Sequence, residues 1–488
     1  MSPRHPLELS GDAMRALGAQ VVEVSVRHFE TLRDRPVSTP MLSRATTEAL
    51  LRTPIPQHGE DPHALVQWLA DHVFGPPLHS DHPRFYAFVP SPSNFVSAAA
   101  DLLTSAHNVF MGHWMASSTA SQIELIVVDW LRELCGLPAE GGGIMVSGGS
   151  MANLCAVATA REAILRGPDD RGTLYCSDQT HSSLAKGVRL IGFRREQRRT
   201  VPTDDQLRLS VPALERMIAE DRAAGRRPFC VVANGGTTNT GAVDPLRELA
   251  ALCAREGLWL HVDGAYGAAA VITERGRVAL DGLGLADSIT LDPHKWLFQP
   301  YELGCLLVRD ARRLRDAFAL EHDDHADYLA DVTRHVESEV NFYEMGPQLT
   351  RSFKALKLWL SLRTFGLDAF RRAIDVGFDM AEEAARALDE DGRWEVVTPP
   401  QMGVVSFRWR GDGTHTAEEI EAITARSVDA MRHDGYALVM STSLRGRAAL
   451  RLCPIHPGTN AGEIRETVRR LSVFSEAAAL AVGSSAGA

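Results

Sequence analysis

Short apolar runs alternate with amphipathic segments from about residue 144 to 310, and this alternation constrains the fold more than any other feature of the chain. Runs with strand-like composition occur at 143–146, 174–176, 229–232, 258–262, 288–291 and 304–308. Helical spacing occurs at 211–224 and 245–256, with Asp244 predicted as the N-cap and Pro245 as the first-turn residue of the second helix. The pattern predicts an α/β domain with a mostly parallel sheet, in which ligands bind at the carboxyl ends of the strands.

The sequence on either side of this region has a different character, and a chain of 488 residues is long enough for more than one core. We predict an N-terminal helical arm or cap at 1–95, a large domain at 96–365 and a small C-terminal α+β domain at 366–488. Helical patterns in the two flanking regions occur at 11–33, 62–74, 368–390 and 417–434. Strand-like runs in the last region occur at 404–407 and 449–452.

Composition and charge exclude several classes of function. A formal net charge of -11, without a basic stripe, disfavours a nucleic-acid partner. No apolar run approaches the roughly 20 residues that cross a bilayer, and the first residues lack the apolar core of a signal peptide, so we expect a cytoplasmic protein with no membrane insertion. The seven cysteines lack C-x-x-C spacing and are predicted to be buried thiols. The expected partner is a small molecule.

A lysine directly after a strand-like run carries the strongest chemical signal. Lys295, in Asp292-Pro293-His294-Lys295-Trp296, follows the run at 288–291. A lysine that is buried or crowded by other cations loses its proton easily, and the neutral amine can form a Schiff base with an aldehyde. Asp263 ends the preceding run, so both side chains are expected at one edge of the sheet. There a carboxylate could hold the nitrogen of a pyridine ring protonated, or simply cap a turn.

Three further motifs follow strand-like runs. Ser147-Gly148-Gly149-Ser150 joins a strand to a helix predicted to end near Arg166, and its free N–H groups and the helix dipole suit a phosphate group. His181 follows the run at 174–176, and a turn containing Thr238 follows the run at 229–232. Each motif alone is compatible with an ordinary turn. Their coincidence at strand ends predicts a cofactor site.

Together these motifs resemble the group II pyridoxal-phosphate-dependent amino acid decarboxylases, the family of aromatic-L-amino-acid, histidine and glutamate decarboxylases. The resemblance runs from about residue 80 to 370, and its most specific element is His-Val-Asp-x-Ala-Tyr with Pro-His-Lys-Trp some 30 residues later. It implies the α/β architecture of a fold type I enzyme, similar to aspartate aminotransferase, with a mostly parallel seven-stranded central sheet. It also implies pyridoxal 5'-phosphate as cofactor and a homodimer with the active site at the interface.

The resemblance implies roles for individual residues around the cofactor. Lys295 would bind it covalently and Asp263 would pair with its ring nitrogen. Ala265 and His181 would lie on opposite faces of the ring, with Thr238 near the ring oxygen. The phosphate would be held by Gly149, Ser150 and His294. Asp292 stands where animal relatives carry asparagine, so its role beside the phosphate stays open.

The resemblance also places the reaction and the substrate. Lys295, His181, Asp263 and Tyr328 are the expected catalytic residues, and Tyr328 would protonate the carbon that loses CO2. Substrate contacts are expected from Phe88, Ser91 and Phe110. No metal site is predicted, although the segment 321–328 contains two histidines and several carboxylates that suit either a metal or a loop.

The expected reaction is decarboxylation of an L-amino acid to its amine, with an aromatic substrate favoured. Aromatic residues that could form either an apolar wall or part of the core are Phe85, Phe88, Phe110 and Trp114. Gly112 stands where aromatic-specific relatives carry a phenylalanine, and Thr350 where they carry a glycine or serine, so an acidic substrate such as glutamate remains an alternative. Arg351 could bind its acidic group, although by the resemblance it is more like a structural or interface residue. A decarboxylation-coupled oxidase that makes an aldehyde and a noncatalytic scaffold are two further alternatives.

Overall fold

The computed structural model describes residues 5–39, 41–75, 78–320, 339–411, 413 and 415–485. Tyr328 and the segment around it lie outside these ranges. The helices before the large sheet are α1 (Gly11–Thr31), α2 (Arg44–Leu51), α3 (Pro62–His72), α4 (Phe95–His107) and α5 (Ser118–Leu134). No helix in the described part of the chain is both long enough and apolar enough to cross a membrane.

A large sheet of seven strands forms the centre of the molecule, as predicted. In chain order its strands are β1 (Gly142–Val146), β2 (Gly172–Ser177), β3 (Arg198–Val201), β4 (Arg227–Asn234), β5 (Trp259–Asp263), β6 (Ser288–Leu291) and β7 (Gly304–Val308). Their spatial order is β1-β7-β6-β5-β4-β2-β3, and only β7 runs antiparallel to its neighbours. Strands β2, β5, β6 and β7 are buried along their whole length, because helices cover both faces of the sheet.

The helices between these strands are α6 (Gly149–Leu165), α7 (Ser182–Leu190), α8 (Val211–Ala223), α9 (Leu246–Glu256), α10 (Glu274–Ala279) and α11 (Arg312–Phe318). Helix α6 lies against β4, β5, β6 and β7, so its first turn is next to the strand ends that carry the predicted motifs. Helix α8 begins at the sequence-predicted position, with Ser210 as its N-cap.

A second sheet of four antiparallel strands organises the C-terminal region. Its strands are β8 (Trp394–Gln401), β9 (Val404–Trp409), β10 (Met440–Leu444) and β11 (Arg447–Leu452). The helices of this part of the chain are α12 (Ala355–Phe365), α13 (Leu367–Asp391), α14 (Ala417–Asp434) and α15 (Ala461–Ser485). A separate core of buried side chains between α13, α14, α15 and the sheet fits a small α+β domain.

The stretch that precedes α4 contacts this small sheet. The amide of Tyr86 donates to the carbonyl of Leu438, and the amide of Cys453 donates to the carbonyl of Tyr86. Phe85 is buried with Val37 and Leu438. The predicted boundaries at 95 and 365 remain predictions, and Tyr86 packs as part of the small-domain core.

The structure corrects the predicted start of α9. Pro245, not Asp244, occupies the N-cap position. The buried carboxylate of Asp244 accepts hydrogen bonds from the amides of Leu209 (2.7 Å) and Asn234 (2.7 Å) instead. An aspartate before a proline has the composition of a helix start, but here the carboxylate joins the end of β4 to the loop before α8. Elements that were not predicted include strands β3, β8 and β10 and helices α2, α4, α7 and α12.

Candidate active site

The predicted motifs meet at one cavity of about 460 Å³ at the carboxyl ends of the parallel strands. The segments that line it follow β1, β2, β4, β5 and β6. Sequence-predicted residues on its wall are Phe88, Gly149, Ser150, His181, Thr238, Asp263, Ala265, Asp292, His294 and Lys295. The arrangement agrees with the rule that parallel sheets bind ligands at this edge.

Lys295 reaches into this cavity after the short turn that follows β6. The chain contains four lysines, and the other three, Lys186, Lys354 and Lys357, are not part of the cavity wall. Nζ of Lys295 lies 3.0 Å from Oδ2 of Asp292, and its side chain is 25% exposed. The local environment does not make the lysine easier to deprotonate. Burial opposes the charge, but Asp292 and Asp263 outweigh burial, and the pKa of Lys295 is raised.

Asp263 ends β5 and is held by two donors. Its Oδ2 accepts a hydrogen bond from Nδ2 of Asn153 (2.7 Å), and its Oδ1 accepts one from the amide of Ala265 (3.2 Å). The side chain is 8% exposed, so one face of the carboxylate remains open to the cavity. A carboxylate fixed in this way can hold a proton on a basic ring nitrogen.

The turn between β1 and α6 forms a close-packed cradle. A Cβ atom added to Gly149 would lie 2.9 Å from Oδ2 of Asp292 and 2.9 Å from Cβ of Ala265, so only glycine fits there without movement. The free N–H groups of the first turn of α6 open toward the cavity beside Ser150. The cradle therefore has the shape and polarity for a phosphate group.

Asp292 and His294 border this cradle. Oδ1 of Asp292 is buried and has no hydrogen-bond partner within the described residues, while Oδ2 lies 3.7 Å from Nε2 of His294. Nδ1 of His294 accepts from the amide of Leu303 (3.2 Å), so the neutral ring carries its proton on Nε2, facing Asp292. Burial lowers the pKa of His294, with Asp292 opposing that effect. Oδ1 of Asp292 is therefore a buried carboxylate oxygen to which no described protein group donates a hydrogen bond.

His181 and Thr238 lie on the side of the cavity formed by the loops after β2 and β4. His181 is the N-cap of α7, and its Nδ1 accepts from the amide of Ser183 (3.2 Å). The neutral ring therefore presents an Nε2 proton. His181 is exposed at the cavity mouth, whereas Thr238 is half-buried. These positions agree with a planar ligand held between His181 and Ala265.

The predicted substrate residues are not all on the cavity wall. Phe88 is, and its backbone has a positive φ of 49°. Ser91 is buried behind the wall, where its hydroxyl donates to the carbonyl of His294. Phe110 lies outside the cavity and packs on His113, with ring centroids 5.2 Å apart. Phe85 belongs to the core instead of an aromatic wall.

Wall residues to which the sequence analysis gave no role include Asn153, Gln179 and Glu302. Asn153 lies four residues after Gly149 on α6, a spacing that returns to the same helix face and could have identified it. Glu302 is held by Lys354, with Nζ and Oε1 2.7 Å apart. Nothing in the sequence near Glu302 signals this position.

Arg351, the candidate ligand for an acidic substrate, is engaged elsewhere. Its Nη2 lies 2.5 Å from Oε1 of Glu124, and both side chains are almost fully buried. The guanidinium also donates to the carbonyls of Met111 and Met145. Arg351 therefore joins α5, β1 and the loop at 111, away from the cavity.

These residues fit pyridoxal phosphate. Lys295 opens into the cavity, the carboxylate of Asp263 is fixed where a ring nitrogen could meet it, and the first turn of α6 has room only for glycine at position 149. The carboxylate of Asp292, which accepts hydrogen bonds but does not donate them, adds nothing to phosphate binding. Within the described ranges no group of three histidine, cysteine or acidic side chains has the arrangement of a metal site.

Comparison with known proteins agrees with this fit. The pyridoxal-dependent decarboxylase conserved domain matches residues 45–410. An aromatic-L-amino-acid decarboxylase from Bacillus atrophaeus is 44% identical over 96% of this chain and 97% of its own length. A 4-hydroxyphenylacetaldehyde synthase from Rhodiola rosea is 30% identical over 89% of each chain. The crystal structure of Oryza sativa TDC with PLP and tryptamine superimposes with a TM-score of 0.88, 29% identity and coverage of 97% of this chain and 99% of that one.

The fold and the cavity define a fold type I enzyme that uses pyridoxal phosphate. The chain belongs to the pyridoxal-dependent decarboxylase family. It is a carboxy-lyase with pyridoxal phosphate as cofactor, as the sequence motifs predicted.

Proposed function

We propose that this enzyme removes CO2 from an aromatic L-amino acid and releases the corresponding amine. The observation that carries the proposal is the cavity that joins Lys295, Asp263 and the Gly149 cradle, in a chain 44% identical to an aromatic-L-amino-acid decarboxylase along nearly its whole length. When bound, pyridoxal phosphate supplies a cationic ring that accepts the electrons of the bond to the departing carboxylate.

The residues of the chain have distinct roles in this proposal. Lys295 holds the cofactor, and Asp263 keeps a proton on the ring nitrogen. The first turn of α6 at Gly149 and Ser150 binds the phosphate, with His294 and Asp292 at its edge. His181 presents its Nε2 proton at the cavity mouth, where it orients the substrate carboxylate. Tyr328, which lies outside the described residues, is the proposed proton donor to carbon.

The charges around the cavity favour a neutral side chain over an acidic one. Asp263, Asp292 and Glu302 line the wall, whereas Arg351 is bound to Glu124. A glutamate side chain would meet like charges without a free guanidinium in the described part of the wall. Phe88 offers a half-exposed aromatic surface instead. This supports an aromatic substrate.

Gly112 and Thr350, the departures from aromatic-specific relatives, lie close together in space. A Cβ atom at Gly112 would be 2.5 Å from the carbonyl oxygen of Leu349 and 2.4 Å from the Phe110 ring. The backbone therefore leaves no room for a phenylalanine at 112. We propose that Phe110, which lies outside the cavity of its own chain, contacts substrate only in the homodimer.

We propose a homodimer whose partner completes the substrate side of each cavity. Exposed apolar side chains concentrate on the arm and on α4, including Leu69, Phe74, Phe95, Leu102 and Leu103. Apolar patches of this kind mark contact surfaces. Sedimentation of the active enzyme tests the proposal, and full activity in a purely monomeric species would contradict it.

We place the enzyme in the cytoplasm. All seven cysteines are free and buried, and burial raises the pKa of the thiols, for example that of Cys135 to about 12. Buried free thiols without disulfides are typical of proteins from a reducing compartment. Fractionation of producing cells tests this location.

A substrate panel tests the reaction. Purified holoenzyme is incubated with L-tryptophan, L-tyrosine, L-phenylalanine, L-histidine and L-glutamate, and amine, CO2 and peroxide are measured together. We expect equal amounts of amine and CO2 from at least one aromatic substrate. Lys295→Ala is expected to be inactive, whereas Lys186→Ala, at an exposed lysine, serves as the matched control. Turnover of L-glutamate alone, or of none, would contradict the proposal.

An aldehyde synthase is the second candidate, because relatives at 28–31% identity carry that name. It would release peroxide and aldehyde in place of amine. The presence of a tyrosine at position 328 favours the amine, since a phenol can deliver the final proton to carbon.

A further inference from the structure

A chain of buried polar side chains lies behind Asp263, on the side away from the cavity. Nε1 of Trp259 donates to Oγ of Ser288 (2.8 Å), and that hydroxyl lies 2.9 Å from Nδ1 of His261. Nε2 of His261 lies 3.0 Å from Oδ1 of Asn153, whose Nδ2 donates to Asp263. Trp259 is 6% exposed, and the other side chains of this series, Ser288, His261 and Asn153, belong to residues that are 1% exposed or less.

The carboxylate end of this chain fixes the direction of its hydrogen bonds. A carboxylate only accepts, so Asn153 must turn its Nδ2 toward Asp263 and its Oδ1 toward His261. This end therefore requires a proton on Nε2 of His261. The other end is compatible with that form: the indole of Trp259 only donates, so the hydroxyl of Ser288 accepts from it and keeps its own proton to donate to Nδ1 of His261.

Two other observations support this form of His261. Thr290 lies 2.7 Å from the same Oδ1 of Asn153 and can donate to it, which is compatible with the amide orientation that Asp263 requires. Burial lowers the pKa of His261 to about 4, although Asp263 and the backbone of Ser288 raise it. The ring is therefore neutral at physiological pH.

We propose that His261 is a positioning residue that acts through Asn153 to keep the carboxylate of Asp263 ionised and fixed in the cofactor cavity. In this arrangement each group donates its proton to the next group on the way to Asp263. The carboxylate of Asp263 therefore receives a donor from this series and faces no acceptor in it. If the ring of His261 carried its proton on Nδ1, Nε2 would face Oδ1 of Asn153 as a second acceptor. The amide would then rotate and turn an oxygen toward Asp263.

This inference rests on the proposed role of Asp263 at the ring nitrogen of pyridoxal phosphate.

Glutamine and leucine at position 261 form a matched pair of substitutions. A glutamine amide can place an N–H near the position of Nε2, whereas leucine has a similar size and no donor. A purely structural role for His261 would affect both variants in the same way.

The holoenzyme of each variant is reconstituted with pyridoxal phosphate that is ¹⁵N-labelled at the ring nitrogen, and the nitrogen chemical shift reports protonation. In wild type and His261→Gln we expect a protonated ring nitrogen. In His261→Leu we expect loss of that proton, a fall in kcat of about tenfold or more and little change in KM. The same protonation state in both variants would overturn the proposal.

A measurement on the wild-type protein keeps the proposal testable if His261→Leu fails to fold. Neutron diffraction from crystals of the deuterated holoenzyme locates the exchanged protons directly. We expect deuterium on Nε2 of His261 and none on Nδ1. Deuterium on Nδ1 would overturn the proposal. Neither the nitrogen chemical shift nor the neutron diffraction map depends on turnover. A wrong substrate assignment would therefore leave both results interpretable.

Discussion

The ion pair between Arg351 and Glu124 gives the sharpest prediction about stability. Arg351→Met removes the guanidinium but leaves the completely buried carboxylate of Glu124. Among the described residues, that carboxylate then keeps only the amide of Met145 (3.0 Å) as a hydrogen-bond donor. Its second oxygen, Oε2, already has no partner within the described residues. Breaking a buried pair from one side costs about 3–5 kcal/mol.

The double variant Glu124→Gln/Arg351→Met separates this cost from lost packing. A neutral glutamine can still accept from the amide of Met145, so we expect the double variant to lose less than half of what Arg351→Met loses. Chemical denaturation, followed by fluorescence and by limited proteolysis, measures the free energy of unfolding. Activity per folded molecule should stay unchanged.

The opposite outcome would refute this reasoning. If Arg351→Met unfolds at the same denaturant concentration as wild type but raises KM for an amino acid substrate, Arg351 binds substrate and the acidic-substrate alternative returns. If the double variant is as unstable as the single one, the cost comes from lost packing over Phe342 and not from an unpaired charge.

Single substitutions in the cavity and in the C-terminal region carry three further predictions. Asp292→Asn removes a carboxylate that raises the pKa of Lys295, so capture of pyridoxal phosphate, followed by absorbance, should reach half its maximal rate at lower pH; an unchanged midpoint would argue against this effect. Gly149→Ala brings a methyl group 2.9 Å from Oδ2 of Asp292, so the cofactor dissociation constant should rise about tenfold or more, whereas Gly18→Ala, with no atom within 4 Å, serves as control. Burial lowers the pKa of His456 to about 4, so the folded state resists protonation and loses about 2–4 kcal/mol from this group as the pH falls from about 6.5 to 4. His456→Asn keeps an acceptor for the amide of Gly458 and should lose less over the same range, as thermal unfolding at several pH values will measure.

The sequence was most informative where a strand-like apolar run is followed closely by a residue with a chemical role. Buried parallel strands read as continuous apolar runs, so the ends of β5 and β6 could be located and Asp263 and Lys295 placed at one edge. Strand β3 was not predicted because its sequence, Arg198-Arg199-Thr200-Val201, is mostly polar. It is an edge strand of the described sheet, paired with β2 on one side.

Tertiary contacts decided the features that the sequence could not reveal. Asp244 has the composition of an N-cap but joins the end of β4 to the loop before α8 through backbone amides. Phe85 and Phe88 are three residues apart in one motif, yet one is core and the other lines the cavity, because the chain turns at the positive φ of Phe88. The sequence suggested a lysine that loses its proton easily, whereas the pKa of Lys295 is raised because Asp292 folds back against it.

Borohydride reduction of the holoenzyme tests the central claim most directly, namely that Lys295 carries the cofactor of an amine-forming decarboxylase. Reduction fixes the pyridoxal group to its lysine, and peptide mass mapping identifies the site among only four lysines. In a preparation that converts an aromatic L-amino acid to its amine, we predict complete labelling of Lys295 and loss of activity in proportion to it. Labelling of Lys186, Lys354 or Lys357, or amine formation that persists after reduction, would contradict this.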